Sequence, residues 1–598
     1  MGWMCVCVLF IYINSVCLTK VRYDPRVTVK NEGITRFSFE SPHSGFIKMV
    51  SASGGKIIWV GRNETLYSIT PAQDIKPQLV NVNLCKNESG DSCAFTLSLL
   101  NQGSDGNLFY CGSDHENTKC CYLKSDYSLT DCFKLENYQP KINEPSLLVG
   151  EMVYFTKSEV GLYRINKDKN YNLWSQSTQT EQTYLKLIAG KGQHKDKVYS
   201  FFAEKQKSKD GESEQWIPRV SQCCMNDRGG PKAHLQNSWT SMIYARLFCG
   251  RGYEFSQLID VATLETDDDI KIYALFRNFW NMSAVCVYSM TKISSIFTSS
   301  DFNSSTVPAN HRPGTCVDDS TRLSSEVLTF MKERPEMKDW VMPENEPLLF
   351  RHHHYTHIQV DREQNKTVLL LSLESGRVHK ILENPLFVIA EYLLFPRGTH
   401  ITSTLLDTSE KRLFVSSSNE VVQIDLQACG VYGDECTECM LSKDPYCGWD
   451  GLHCTCKAKG RLQDPRECPE TPITAMHAGA PFANPSQTEF GGETSSVYPA
   501  VHIPPSSRYF LLCPMTSHHA TYNWHHKDTY EECVVSNQDC LYLIHSMNET
   551  LEGSYRCVST EEGYNRTVTR YTLRMSRSNA HRLASGVLLL LTAAHFLF

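Results

Sequence analysis

Residues 436–451 read CTECMLSKDPYCGWDG: three cysteines, an Asp-Pro turn and an aromatic pair in sixteen positions. Three chemistries use so dense a pattern: a zinc site, a redox dithiol built on Cys436 and Cys439, and a small domain held by disulfides. A zinc site calls for a second Cys-x-x-Cys or a histidine pair at finger spacing, and neither follows. The compartment in which the chain folds decides between the other two.

The N-terminus, MGWMCVCVLFIYINSVC, carries an apolar run from about Val6 to Ile13, too short to span a bilayer. Ser15 and Cys17 are small residues placed for cleavage after Cys17, so residues 1–17 read as a secretory signal peptide, although no Lys or Arg precedes the run. Seven Asn-x-Ser/Thr sequons, at Asn63, Asn87, Asn281, Asn303, Asn365, Asn548 and Asn565, fit an extracellular surface. Removing Cys5, Cys7 and Cys17 leaves 22 of the 25 cysteines, an even number suited to an oxidising compartment. The stretch 436–451 is therefore expected to be a disulfide knot.

The C-terminus runs LASGVLLLLTAAHFLF from Leu583 to Phe598, short for a spanning helix and without a basic tail. Small residues in SRSNA and a short polar spacer precede it. This is the order of a glycosylphosphatidylinositol signal, with Ser578 as the expected attachment site, Ser576 and Asn579 as alternatives, and 579–598 removed. A net charge of −7 argues against nucleic acid as a partner, which calls for a basic face.

Between these signals the pattern is β. An apolar run, a few polar turn residues and a second apolar run recur as IIWVGRNETLYSI (57–69), MVYFTKSEVGLYRI (152–165), VLLLSLESGRVHKI (368–381) and RLFVSSSNEVVQIDL (412–426). Each reads as a hairpin. The last two start 44 residues apart and the first two 95 apart, about one and two of the 40–50-residue units that mark propeller blades. Residues 18–428 are thus expected to form an all-β propeller of about seven blades. SSEVLTFMKERPEM (324–337) is the best helical segment, ended by Pro335.

Residues 429–469 hold cysteines at 429, 436, 439, 447, 454, 456 and 468; so small a unit leans on cross-links. A Pro-, Gly- and Ser-rich linker fills 470–500. In 501–575, Cys513, Trp524 and Tyr555 two residues before Cys557 are the marks of an immunoglobulin sandwich. Cys533 and Cys540 between them make a second, local bridge.

Propeller, knot and immunoglobulin domain in this order resemble the semaphorin family over almost the whole chain. The motifs are DKVYSFFAE (196–204), IPRVSQCCMNDRGG (217–230), WTSMIYARLFC (239–249), MSAVCVYSM (282–290), RPGTC (312–316), GRVHKI (376–381) and DPYCGWDG (444–451). DPYCGWDG belongs to the knot shared by plexins, semaphorins and integrins. One immunoglobulin domain with a lipid-anchor signal resembles the class seven, GPI-anchored semaphorins, a likeness that SSRYFLLCPMTSHHATYNWHHK (506–527) strengthens.

The resemblance implies a seven-bladed sema propeller, a PSI knot and an Ig-like domain, with no enzymatic activity and no cofactor. It implies a propeller-mediated homodimer that binds a class C plexin, acting in axon guidance, cell migration and immune regulation. The membrane is reached only through the lipid anchor, from which the protein can be shed. It further implies the pairs Cys85–Cys93, Cys111–Cys120, Cys224–Cys316, Cys249–Cys286, Cys429–Cys447, Cys436–Cys468, Cys439–Cys454 and Cys513–Cys557. Cys121–Cys132 completes the set as a local pair, leaving Cys223 and Cys456 over. The knot is expected to act as a rigid spacer beside a propeller that carries its own core. A decoy of such a ligand shares the fold, and an extracellular propeller hydrolase would need carboxylates converging from several blades.

Two local patterns remain. His352, His353, His354 and His357 lack acidic partners at metal-binding spacing and read as a solvated loop. Class seven semaphorins are associated with integrin binding through an Arg-Gly-Asp after the propeller cysteine. Here Met225, Asn226 and Asp227 follow Cys224, so the guanidinium is missing while Asp227 is left as a carboxylate to present. Integrin binding is expected to be weak or absent.

Overall fold

The computed structural model describes residues 24–576 except 40–44, 53–54, 72–75, 81–94, 104–105, 115–116, 125, 137, 159, 168–171, 177–179, 208–213, 233, 252–253, 305, 351, 457–463, 469–499 and 537–538. The expected signal peptide, Cys85, Asn87, Cys93, nearly all of the linker and the expected attachment site at Ser578 lie outside the described residues.

Alternating apolar and polar residues make strands, and the strands make seven sheets of four. Six are consecutive, at 47–80, 96–136, 146–174, 182–246, 257–350 and 355–393. The seventh joins Ser403–Asp407, Arg412–Ser416 and Glu420–Asp425 to the N-terminal strand Ile34–Ser38, paired antiparallel from Ile34↔Ile424 to Ser38↔Glu420. Chain start and chain end thus share one blade, which closes the ring. The preceding strand, Val27–Val29, adds in parallel to the edge of the sixth sheet, with Val27 beside Ala390.

The four segments read as hairpins are all hairpins. The turn before Arg377 needs glycine: Gly376 has φ +81°, and a Cβ there would lie 3.0 Å from the Thr399 carbonyl oxygen. The first strands of neighbouring sheets touch one another around the ring. Polar bridges tie them: Asp260 Oδ2 accepts from Ile358 N at 2.9 Å, Asn101 Nδ2 donates to Ser146 Oγ at 3.0 Å, and Ser403 Oγ donates to the Ile47 carbonyl at 2.7 Å.

The helix expected near 324–337 is Ser325–Lys332, capped by Ser324 Oγ accepting from Val327 N. A second helix, Met290–Ser299, was not expected from the sequence. Its Ile, Thr and Ser residues are weak helix formers, but Ser289 caps it and Ile293 and Phe297 pack between the fourth and fifth sheets beside Val327 and Met331.

The knot is a short helix, Cys436–Leu441, and a minimal strand pair, Gly448–Trp449 with Cys454–Thr455. It does not have a core of its own. Cys436, Met440, Tyr446 and Trp449 share one apolar cluster with Val27, Leu382, Ile389 and Leu413 of the propeller. Knot and propeller therefore share one packed core, which corrects the expectation that the propeller's core stands apart from the knot. In the immunoglobulin domain, a sheet of five strands faces one of three. Trp524 is buried between them, and Tyr555 Oη donates to the Leu551 carbonyl at 3.0 Å.

Candidate functional site

Nine disulfides occur among the described residues. They pair Cys111–Cys120, Cys121–Cys132, Cys224–Cys316, Cys249–Cys286, Cys429–Cys447, Cys436–Cys468, Cys439–Cys454, Cys513–Cys557 and Cys533–Cys540. Cys223 and Cys456 are unpaired. The Cys223 thiol is buried against the Val198 carbonyl, and burial pushes its pKa up, so it is a poor nucleophile. Cys513, Cys540 and Cys557 bring three sulfurs together, but each is committed to a disulfide and is no metal ligand.

The loop after Cys224 is the place where an integrin motif would stand. Asp227 sits there with 3% of its surface exposed. Its Oδ1 accepts from Gly229 N at 2.8 Å and Thr240 Oγ1 at 2.9 Å. Its Oδ2 accepts from Thr240 N and Ser241 N at 2.9 Å each, and from Ser241 Oγ at 2.7 Å. Five donors saturate the carboxylate. Arg164 clamps the same loop from beneath, donating to the Met225 carbonyl at 2.7 Å and to the Asp227 carbonyl. The expectation that Asp227 could present a carboxylate is thereby corrected. Asn226 is the exposed residue of the three, and its Nδ2 donates to the Val317 carbonyl at 2.8 Å.

The histidine stretch is not a uniform solvated loop either. His352 and His354 are exposed, but His357 lies in the strand Tyr355–Glu363 on the inner wall of the ring. Burial lowers its pKa, and the nearby Asp260 opposes that shift. Lys48 faces the same wall from the first blade; burial and Lys186 lower its pKa to about 8.

The second candidate surface is the junction of the three domains, which no sequence motif marked. Arg26, fully buried, precedes the strand Val27–Val29. Its Nη2 pairs with Glu438 of the knot helix at 2.7 Å, and its Nε with Glu561 of the immunoglobulin domain at 3.0 Å. Burial disfavours its charge, yet Glu561 and Glu438 outweigh that and raise its pKa. Arg566 reaches Glu435 at 2.9 Å and Glu438 at 3.3 Å, while His518 N donates to the Arg26 carbonyl at 2.8 Å. Arg26, Glu438, His518 and Arg566 wall a polar cavity of about 300 Å³.

The DPYCGWDG motif does its own docking. Asp444 pairs with the buried Lys380 of the sixth blade at 2.5 Å and accepts from Tyr432 Oη at 2.6 Å. Tyr446 Oη donates to Asp361 at 2.6 Å.

Comparison with known proteins follows this division. Residues 258–408 match the Sema domain, 428–478 the plexin repeat, and 496–585 the immunoglobulin-like domain of semaphorins 3, 4 and 7A. Mouse Semaphorin-7A is 27% identical over 92% of this chain and 87% of its own length. Human Semaphorin-7A is 29% identical over 87% of this chain and 82% of its own. Among solved structures, Drosophila Semaphorin 2a superposes with a TM-score of 0.68 at 19% identity, covering 93% of this chain and all of that one. Drosophila Plexin A in complex with Semaphorin 1b gives 0.58 at 22% identity, covering 72% and 94%. With a Sema domain on a seven-bladed ring, a plexin repeat and a semaphorin-type immunoglobulin domain in one chain, this protein resembles the semaphorin family, and within it Semaphorin-7A.

Proposed function

We propose that this chain is a cell-surface semaphorin ligand that works by binding and carries out no catalysis of its own. It engages the propeller of a class C plexin as a propeller-mediated homodimer, and it is held to the outer membrane face by a lipid anchor at Ser578. The observation that carries this reading is the alignment with two Semaphorin-7A chains over most of both lengths. A structural neighbour described as Drosophila Plexin A in complex with Semaphorin 1b supports a plexin as the receptor. Guidance of axons, cell migration and immune regulation are the processes such a ligand serves. A dimer sets the spacing of two receptors, so avidity dominates its action.

The test is surface plasmon resonance of purified ectodomain over immobilised class C plexin. Dimeric ectodomain should bind, and a monomeric fraction should dissociate faster. A folded dimer that gives no signal would sink the reading. Release of the protein from cells by a phosphatidylinositol-specific phospholipase tests the anchor separately and distinguishes an anchored ligand from a decoy secreted without one. Integrin-bearing cells should adhere poorly to the loop at 225–227, because its aspartate is sequestered.

A further inference from the structure

The hairpin between the strands Ile270–Arg277 and Ser283–Ser289 ends in the sequence Asn278-Phe279-Trp280-Asn281-Met282. Asn281 N donates to the Asn278 carbonyl at 3.0 Å, and Asn278 N donates to the Met282 carbonyl at 3.1 Å. Asn281 itself stands at φ +60°. This is a three-residue loop, a tight turn followed by a left-handed residue, a conformation asparagine tolerates well. Asn278 Oδ1 accepts from Trp280 N at 3.0 Å and Met282 N at 2.8 Å, which fixes the loop from within.

The fixed loop holds two large rings in water. Phe279 is 93% exposed and Trp280 70%, their centroids 6.3 Å apart and their planes at 88°. Such a pair at a hairpin tip lacks a partner within the described chain, and exposed apolar area of this kind calls for a cover. The next residue supplies one. Asn281-Met282-Ser283 is an acceptor sequon, and Asn281 is exposed. Of the six sequons whose asparagine is described, it alone follows two aromatic residues that both stand out of the surface.

We propose that Asn281 carries an N-linked glycan whose innermost N-acetylglucosamine lies over the Phe279–Trp280 pair. One face of a pyranose ring presents C–H groups, which are weakly positive and pack on the negative face of an aromatic ring. The bond forms between Asn281 Nδ2 and C1 of an oligosaccharide carried on a polyprenyl pyrophosphate. The C1–oxygen bond to the pyrophosphate breaks, the lipid pyrophosphate leaves with the electron pair, and an amide proton passes to a base of the transferase. In the folded blade the Ser283 hydroxyl is buried and accepts from Tyr355 N at 3.1 Å. Transfer therefore precedes closure of the blade, and the sugar settles on the rings as the hairpin forms.

The experiment uses full-length protein from glycosylating cells, labelled with hydroxyl radicals and mapped by mass spectrometry before and after native removal of N-glycans by an amidase. The peptide containing Asn281 should be occupied, and oxidation of Phe279 and Trp280 should rise severalfold once the glycan is removed. The variant Asn281→Asp, which keeps a residue tolerant of the left-handed turn, should show the same high labelling without the amidase. An unoccupied Asn281 overturns the proposal, as does an occupied one whose removal leaves both rings labelled to the same extent. Rings that stay protected in Asn281→Asp, with protection rising with protein concentration, would show that a second copy of the chain covers them instead.

Discussion

Arg26 and Asp227 are both buried charges, and they hold the molecule in opposite ways. Arg26 joins three domains through two carboxylates drawn from sequence positions more than 400 residues away. Asp227 holds one loop through neutral N–H and O–H donors, all within 14 residues of it. The first is a long-range ionic contact whose partners are charged whether or not it forms. The second is a local cradle that pre-exists around whatever acceptor occupies it. Loss of Arg26 should therefore be felt between domains, and loss of Asp227 within one.

The largest effect is expected from Arg26→Met, which takes from buried Glu561 the guanidinium it pairs with and leaves Glu438 only its contact with Arg566 at 3.3 Å. Breaking a buried pair in this way costs about 3–5 kcal/mol. Scanning calorimetry should show the immunoglobulin domain melting apart from the propeller. Adding Glu438→Gln and Glu561→Gln should restore much of the coupling, because neutral groups of like shape need no counter-ion. If the single substitution leaves one cooperative transition at an unchanged temperature, the junction is not held by this ion pair.

Next comes a charge inside the propeller that shares features of both. Glu204 pairs with Arg219 at 2.5 Å and Arg334 at 3.1 Å, and accepts from Thr180 at 2.7 Å. Burial would raise its pKa, but the two arginines and the hydrogen bonds lower it from 4.5 to about 2. A depressed carboxylate pKa stabilises the fold above the unfolded value of 4.5, and that contribution disappears as pH falls towards 2. Its size is on the order of 3 kcal/mol. Urea midpoints measured across this window should fall less steeply in Glu204→Gln than in the parent.

Asp227→Ala should cost about 2–3 kcal/mol, since it orphans buried donors rather than charges. Hydrogen exchange at Gly229, Thr240 and Ser241 should accelerate while the immunoglobulin domain stays protected. Spread of the change to residues 500–576 would erase the distinction between the two kinds of buried charge. The same instability means that an adhesion test on Asp227→Ala needs a fold control, and Asn226→Ala is the cleaner probe of the loop surface. The smallest effect belongs to Lys443, whose exposed pair with Glu562 at 2.5 Å also crosses the junction. Lys443→Ala should shift stability by less than about 1 kcal/mol, and the shift should vanish in high salt.

What the sequence disclosed follows the same line between local and distant causes. The propeller hairpins were legible because strand alternation and turn residues are neighbours in the chain. The immunoglobulin domain was legible because Cys513, Trp524, Tyr555 and Cys557 keep a spacing that the sandwich geometry demands. Arg26 was not, since a lone arginine near the N-terminus carries no mark of two carboxylates more than 400 residues away. Asp227 was half legible: its position after Cys224 was plain, but its burial depends on Thr240 and Ser241 arriving from the bend ahead of the strand Ile243–Arg246. His357 was grouped with its neighbours by adjacency, whereas strand register sends it to the inner wall. The helix Met290–Ser299 escaped notice because packing, not propensity, makes it.

The two strands that begin the described chain also set a timetable. Val27–Val29 waits for Ala390 to Tyr392, and Ile34–Ser38 for Glu420 to Ile424, before either has a partner. At about 5–20 residues per second, the interval between synthesis of the first strand and its neighbour is roughly 20–70 seconds. Through that time the segment waits with its backbone groups unpaired, an open sheet edge in search of a partner. Closing the ring is thus the last event of the propeller's assembly, and the quality of the finished molecule depends on how well that opening stretch is guarded until its other half has been made.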